Sequence, residues 1–189
     1  MKQLYLNKVS VITTVWNVAE WLDRNIQSFL NQTLKDSELI LVNDCSPDNS
    51  GEIIAKYNDK RIKVINNETN LGPGVSRQIG LDNSIGEYTI FVDGDDWLEP
   101  EALHRMIDPA LKYDLDFVCM DTQKVLPFFD HKVPFCVDKK YKERVIEIDT
   151  EKGEGRKNFE ELYRNFFGKN IFMVTYWGKL IKKKLIQKL

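Results

Sequence analysis

Tyr88-Thr89-Ile90-Phe91-Val92-Asp93-Gly94-Asp95-Asp96 is the stretch on which the reading of this chain turns. Tyr88 to Val92 is apolar on both faces, which predicts a central strand of a covered parallel sheet. The strand runs straight into three carboxylates within four residues, Asp93, Asp95 and Asp96. Such a cluster repels itself unless a cation offsets it. Hard oxygen ligands of this kind suit Mg²⁺ or Mn²⁺, which also take oxygens from substrate phosphates. Asp93, Asp95 and Asp96 are therefore candidate metal ligands, and Gly94 lets the backbone approach closely or take a positive φ. A solvated acidic turn is the plain alternative, but buried strands of open α/β sheets deliver functional groups to a crevice at their carboxyl ends.

Outward from this strand, the chain alternates strands and helices. Lys8–Thr13 is a β-branched run that predicts a first strand, and Ala19–Gln32 predicts a helix from Trp21, Leu22, Ile26, Phe29 and Leu30 at helical spacing. Glu38–Val42 predicts a second strand, Pro47–Tyr57 a helix, Arg61–Ile65 a third strand, and Val75–Ser84 a helix after the loop Asn70–Gly74. Downstream, Glu99–Tyr113 predicts a helix and Asp116–Met120 a strand. The expected fold class is α/β, a mainly parallel central sheet flanked by helices, as far as residue 121.

Past residue 121 the pattern is less regular. Phe128–Ile148 carries short alternating runs suited to an antiparallel excursion, and Lys157–Phe167 predicts a helix. Residues 169–189 hold six lysines and no acid. Leu180, Ile181, Leu185, Ile186 and Leu189 fall at helical spacing, either a basic amphipathic helix in peripheral contact with an anionic membrane or a terminal helix packed on its own domain.

Composition narrows the function classes. A chain of 189 residues with 42% hydrophobic and 30% charged residues suits one soluble domain. Its net charge of −2 gives no footprint for nucleic acid. No apolar run is long enough to span a bilayer, and the N-terminus lacks an apolar signal core, so a cytoplasmic location is expected. Cys45, Cys119 and Cys136 lie far apart, as expected of buried reduced thiols rather than a zinc site.

Two other predicted strand ends join the acidic turn. Thr14 and Trp16 follow the first strand, and Asp44 follows the second. Trp16 offers a flat apolar face and Asp44 can accept a hydrogen bond from a base N–H, together a candidate nucleobase clamp. Trp16 is equally a candidate packing aromatic. Arg77, just inside a helix after Gly72-Pro73-Gly74, can reach a base or phosphate, though alone it reads as a surface arginine.

The combination resembles the family 2 glycosyltransferases, inverting enzymes with the GT-A fold, over residues 8–121. The resemblance rests on Val9-Ser10-Val11-Ile12 leading to Trp16-Asn17, and on Ser28-Phe29-Leu30-Asn31-Gln32-Thr33. It continues through Leu39-Ile40-Leu41-Val42-Asn43-Asp44-Cys45-Ser46-Pro47-Asp48, Asn70-Leu71-Gly72 and Ser76-Arg77-Gln78 to Asp93-Gly94-Asp95-Asp96. It implies one glycosyltransferase domain over residues 1–189, with 8–121 the nucleotide-sugar-binding half and 122–189 the start of an acceptor half in a C-terminally truncated catalytic domain. It also implies nucleotide contacts at Thr14, Trp16, Asp44, Arg77 and Asp95, with Asp44 facing uracil, and Mn²⁺ or Mg²⁺ at Asp93, Asp95 and Asp96. The implied donor is a nucleotide-diphosphate sugar, most simply a UDP-sugar, and the acceptor a saccharide or lipid-linked hydroxyl.

Two departures qualify the match. The family commonly has Tyr where this chain has Trp16. Its catalytic base usually follows a segment like Tyr176-Trp177-Gly178-Lys179-Leu180, after which this chain has no acid. The catalytic residue is therefore unassigned, with Asp121 a conceivable stand-in. A non-catalytic nucleotide-sugar-binding module and a haloacid-dehalogenase-type phosphatase using Asp93 are the competing functions. A sugar nucleotidyltransferase would want a Gly-rich, Arg-containing loop, which Thr13–Asn17 is not.

Overall fold

The computed structural model describes residues 9–119, 123–125, 132–134 and 179–186. The chain divides into two compact units, one of Met1–Cys119 with Lys179–Leu189, the other of Met120–Gly178. Within the second unit, β6 (Gln123–Val125) and β7 (Lys132–Pro134) pair antiparallel. The predicted helix at Lys157–Phe167, most of the predicted antiparallel excursion, and Asp121 lie outside the described residues.

The first unit is built on β1 (Val9–Val15), β2 (Ser37–Asn43), β3 (Ile62–Asn66), β4 (Tyr88–Phe91), β5 (Phe117–Cys119) and β8 (Lys179–Lys182). Its helices are α1 (Ala19–Leu30), α2 (Ser50–Ile54), α3 (Pro73–Asp82), α4 (Ala102–Lys112) and the short α5 (Lys183–Ile186). The strand order is β3-β2-β1-β4-β8-β5, with β1, β2, β3 and β4 mutually parallel and β8 antiparallel to both β4 and β5.

Strands β1, β2 and β4 are buried on both faces, as their β-branched and aliphatic runs require. β3 is an edge strand and alternates less cleanly, with Lys63 and Val64 exposed. Helix α1 buries Leu22, Ile26 and Phe29, a stripe of helical period. Helix α3 starts two residues earlier than its apolar pattern suggests: Pro73 has the fixed φ suited to a first turn, and Gly72 before it takes φ 83°. Helix α2 is shorter than the predicted Pro47–Tyr57, because Pro47 to Asn49 form a turn held by side chains rather than a helical turn.

The C-terminal segment departs most from its predicted form. Lys179–Lys182 is not helical; it is β8, inserted between β4 and β5, with Leu180 and Lys182 buried. Lys182 can be buried because Asp114 meets its Nζ at 2.7 Å, with Glu87 at 3.6 Å and Asp116 at 4.0 Å. Asp114 raises the Lys182 ammonium above the usual lysine range against the opposing effect of burial. Leu180 and Ile181 therefore belong to a strand and not to the helical stripe that their spacing predicts. Among the described residues no helix is long and apolar enough to cross a membrane.

The chain runs outward from β1 to β2 to β3, then returns to place β4 on the other side of β1. A crevice therefore opens at the carboxyl ends of β1 and β4, where neighbouring connections leave in opposite directions.

Candidate functional site

A cleft of about 490 Å³ occupies that switch point, lined by Thr14, Trp16, Val18, Asp44, Asn70, Pro73, Arg77, Asp93, Gly94 and Asp95. Thr14, Trp16, Asp44, Arg77, Asp93 and Asp95 are all candidates on sequence, and four separate segments bring them together. Trp16 leaves the end of β1 with its residue 52% exposed, so it is a wall of the cleft rather than a core aromatic.

The loop bearing Trp16 is tied to the loop after β2. Asn17, at φ 55°, donates its backbone N–H to Ser46 Oγ at 2.8 Å. Ser46 Oγ in turn donates to Asp48 Oδ1 at 2.7 Å, which also accepts from Ser50 N–H at 3.0 Å. The other oxygen, Asp48 Oδ2, accepts from Ala19 N–H at 2.9 Å. Burial raises the Asp48 carboxyl, but the hydrogen bonds from Ser50, Ser46 and Ala19 outweigh it and hold it well below the ordinary carboxylate range. The sequence offers only a faint signal for this hub, an aspartate near a helix start.

Asp44, only 2% exposed, forms part of the cleft wall. Its Oδ1 accepts from Asn67 Nδ2 at 2.7 Å and Leu71 N–H at 2.9 Å, and its Oδ2 from Gly72 N–H at 2.9 Å. Burial would raise this carboxyl; hydrogen bonds from Leu71, Asn67, Ser76 and Gly72 hold it below its usual value instead. Asp44 is thus an ionised, immobile acceptor that also fixes the loop leading into α3. That second role is not legible in its local sequence.

The acidic turn closes on itself through Asp96 N–H to the Asp93 carbonyl at 3.0 Å. Arg77 reaches from α3 to Asp93, Nη2 to Oδ1 at 2.7 Å. Gly94 serves close approach, not a positive φ: a Cβ there would stand 2.7 Å from Val18 Cγ2 and 3.2 Å from the Thr14 carbonyl oxygen. Asp95 is exposed at the cleft, whereas Asp96 is half-buried and is not part of the cleft wall. Burial, reinforced by the charges of Asp95 and Asp93, raises the Asp96 carboxyl to about 6.

These observations bear on a cation. Hard oxygens and an unrelieved excess of negative charge fit Mg²⁺ or Mn²⁺. Among the described residues, however, no three His, Cys, Asp or Glu side chains gather into a complete metal cage, and Asp93 already faces a guanidinium. Asp95 and Asp96 are the carboxylates that could hold a cation, whose remaining ligands would be phosphate oxygens and water, in the usual manner of Mg²⁺.

One sequence expectation fails here. Cys45 is exposed, not a buried thiol, and takes φ 54° at the end of β2.

A family model described as Glycosyl transferase family 2 matches residues 10–189. Over 187 residues the chain is 37% identical to a cholesterol galactosyltransferase of Borreliella burgdorferi, covering 96% of this chain and 49% of that protein. It is 32% identical over 189 residues to the glycosyltransferase GlyA of Streptococcus pneumoniae, covering 97% of this chain and 25% of that protein. The chain thus spans half or less of the length of these relatives. Among solved structures, residues 1–349 of S. aureus TarS in complex with UDP match with TM-score 0.73 at 24% identity, covering 96% of this chain and 48% of that one. The mannosyltransferase PcManGT of Pyrobaculum calidifontis, in complex with GDP-Man and Mn²⁺, matches with TM-score 0.56 at 16% identity over 63% of this chain and 37% of that one. At these identities the solved structures speak for the fold, which is GT-A.

Proposed function

The chain belongs to glycosyl transferase family 2, and from that premise we propose that its cleft binds the nucleotide of a UDP-sugar for metal-assisted, inverting transfer to a saccharide or lipid-linked hydroxyl. The observation that carries this reading is the meeting of Thr14, Trp16, Asp44, Arg77, Asp93 and Asp95 around one cleft at the sheet's switch point. The exposed face of Trp16 suits stacking on a nucleobase. Asp44, ionised and rigidly held, suits acceptance of a base N–H. Uridine is favoured over guanosine because TarS, the better fold match, is the one solved with UDP and with UDP-GlcNAc.

Arg77 has the donors to bind a diphosphate oxygen while keeping Asp93 neutralised from the protein side. Asp95 and Asp96 would hold the Mn²⁺ or Mg²⁺. When bound, the cation would supply Lewis-acid neutralisation of the departing diphosphate. Asp44 and Trp16 would orient the nucleoside, so that the sugar carbon meets its acceptor in line. The family membership leaves the dehalogenase-type phosphatase without support.

Calorimetric titration with UDP tests the donor half of the proposal. Binding should require Mn²⁺ or Mg²⁺ and be abolished in Asp95→Ala/Asp96→Ala. Equal binding in excess chelator would remove the metal from the mechanism. Release of UDP from a UDP-sugar only when acceptor is present would separate a transferase from a non-catalytic binding module.

A further inference from the structure

Residues 92–101 form neither helix nor strand, so the acidic turn has no regular ladder to hold it. A stripe of polar side chains running along α1 and just past its end does so instead. Asn25 is 3% exposed, and its Nδ2 donates to the Asp93 carbonyl at 3.0 Å and the Asp96 carbonyl at 2.8 Å. Both donor hydrogens of the carboxamide are thereby used on the two ends of one turn. Its Oδ1 lies 3.5 Å from Thr13 Oγ1 on β1.

One helical step on, Ser28 Oγ accepts from Leu98 N–H at 3.0 Å. Gln32, fully buried, donates to the Glu99 carbonyl at 2.7 Å and accepts from Leu103 N–H at 3.1 Å. The stripe therefore divides its work. Ser28 and Gln32 hold the segment leading into α4, and Asn25 alone among them grips the turn that carries the carboxylates. With Asp93 paired to Arg77, the neighbouring carboxylates of Asp95 and Asp96 still repel and favour a more open turn, and Asn25 opposes this through main-chain oxygens without reaching the cleft.

We infer that Asn25 is the positioning residue of the acidic turn, holding the carboxylates of Asp95 and Asp96 in the arrangement that receives a divalent cation and diphosphate. The inference rests on the proposed cation role of those two carboxylates. Groups that orient metal ligands from behind typically change metal affinity 10- to 100-fold when lost.

The test uses the 189-residue chain, Mn²⁺ titrated alone and then with saturating UDP, with the thermal transition measured in parallel. Asn25→Leu keeps the shape but loses both donors, and should weaken Mn²⁺ binding by about ten-fold or more. Gln32→Leu loses hydrogen bonds from the same stripe but none to the turn; it should lower the thermal midpoint while Mn²⁺ affinity stays within about two-fold. If Asn25→Leu does not fold, Asn25→Asp takes its place, because it turns an oxygen towards two carbonyls and should also lose affinity. Unchanged Mn²⁺ affinity in the folded Asn25 variant, or equal losses in the Asn25 and Gln32 variants, overturns the inference. Asp95→Ala/Asp96→Ala tells the two failures apart. If that variant loses Mn²⁺ binding while Asn25→Leu does not, only the positioning role fails. If it binds as the parent does, the cation role itself fails and the inference with it.

Discussion

Asp48 lies behind the cleft, yet its replacement should be among the more costly single changes in the first unit. Neither α1 nor α2 is capped by the side chain at its own N-cap, Val18 and Asn49 respectively. Asp48 supplies both, one oxygen to Ala19 N–H and the other to Ser50 N–H. An N-cap contact is worth about 1 kcal/mol, and a carboxylate between two helix N-termini is further favoured by their dipoles. Asp48→Ala also strips the Ser46 hydroxyl of its acceptor and loosens the Asn17 amide that Ser46 holds. Because Asp48 is only partly buried, water replaces some of what is lost. The expected cost is about 2–3 kcal/mol, or about 5–10 °C in thermal midpoint for a chain of this size.

Urea unfolding of parent, Asp48→Ala and Asp48→Asn would measure this, with Asn retaining one acceptor and part of the stability. Folded Asp48 has a depressed pKa, so its contribution is present above the ordinary carboxylate value of 3.8 and lost as pH falls below it. The gap between parent and Asp48→Asn should therefore narrow steadily below about pH 4. A difference below about 0.5 kcal/mol between parent and Asp48→Ala at neutral pH, the range of ordinary surface changes, would refute the reasoning.

Other outcomes follow from single contacts. The Asp96 carboxyl, raised to about 6 from an ordinary 3.8, makes the folded chain bind a proton between those values. Its contribution to stability therefore falls as pH rises through that window, and a bound cation should offset the loss. Mn²⁺ should raise the melting temperature at about pH 7.5 and have little effect at about pH 5; equal shifts would count against Asp96 as a ligand. Gly94→Ala drives a methyl into Val18 and towards the Thr14 carbonyl, and should destabilise by about 1–3 kcal/mol while weakening UDP binding in the same titrations. Lys182→Met leaves Asp114, Glu87 and Asp116 without their shared cation. Since Asp114 and Glu87 are well exposed, the cost should be only about 1–2 kcal/mol by urea unfolding.

The strands and helices of the first unit are legible up to β5 because each is written locally. Leu39 to Val42 is a continuous apolar run, and Leu22, Ile26 and Phe29 repeat at the helical period. The cleft is legible for the same reason: Thr14, Trp16, Asp44, Asp93 and Asp95 each lie at or just after the end of a strand that announces itself. What stays hidden is set by partners distant in sequence. Lys182 can sit buried in a strand because acids distant in sequence, Asp114 first among them across 68 residues, meet its ammonium. Asn25 reads as an ordinary polar helix residue until Asp93 and Asp96 are seen beside it. Asp44 and Asp48 read as turn formers, and their second roles depend on Leu71, Gly72 and Ala19 being brought up by the fold.

The placement of β8 has a consequence for how the chain acquires its structure. Tyr88 pairs with Lys182, so the sheet is joined across a separation that folding reaches late, whereas β1, β2, β3 and β4 are linked by short helical crossovers. Closing the longer loop costs little at equilibrium, since each doubling of length adds only about 0.6 kcal/mol, but it delays the contact. During synthesis, Tyr88–Phe91 is paired with β1 on one side while its other side waits open, and that edge leads directly into the acidic turn. An apolar edge of this kind is prone to pair with other chains, and the three carboxylates that follow it add local charge that discourages such pairing.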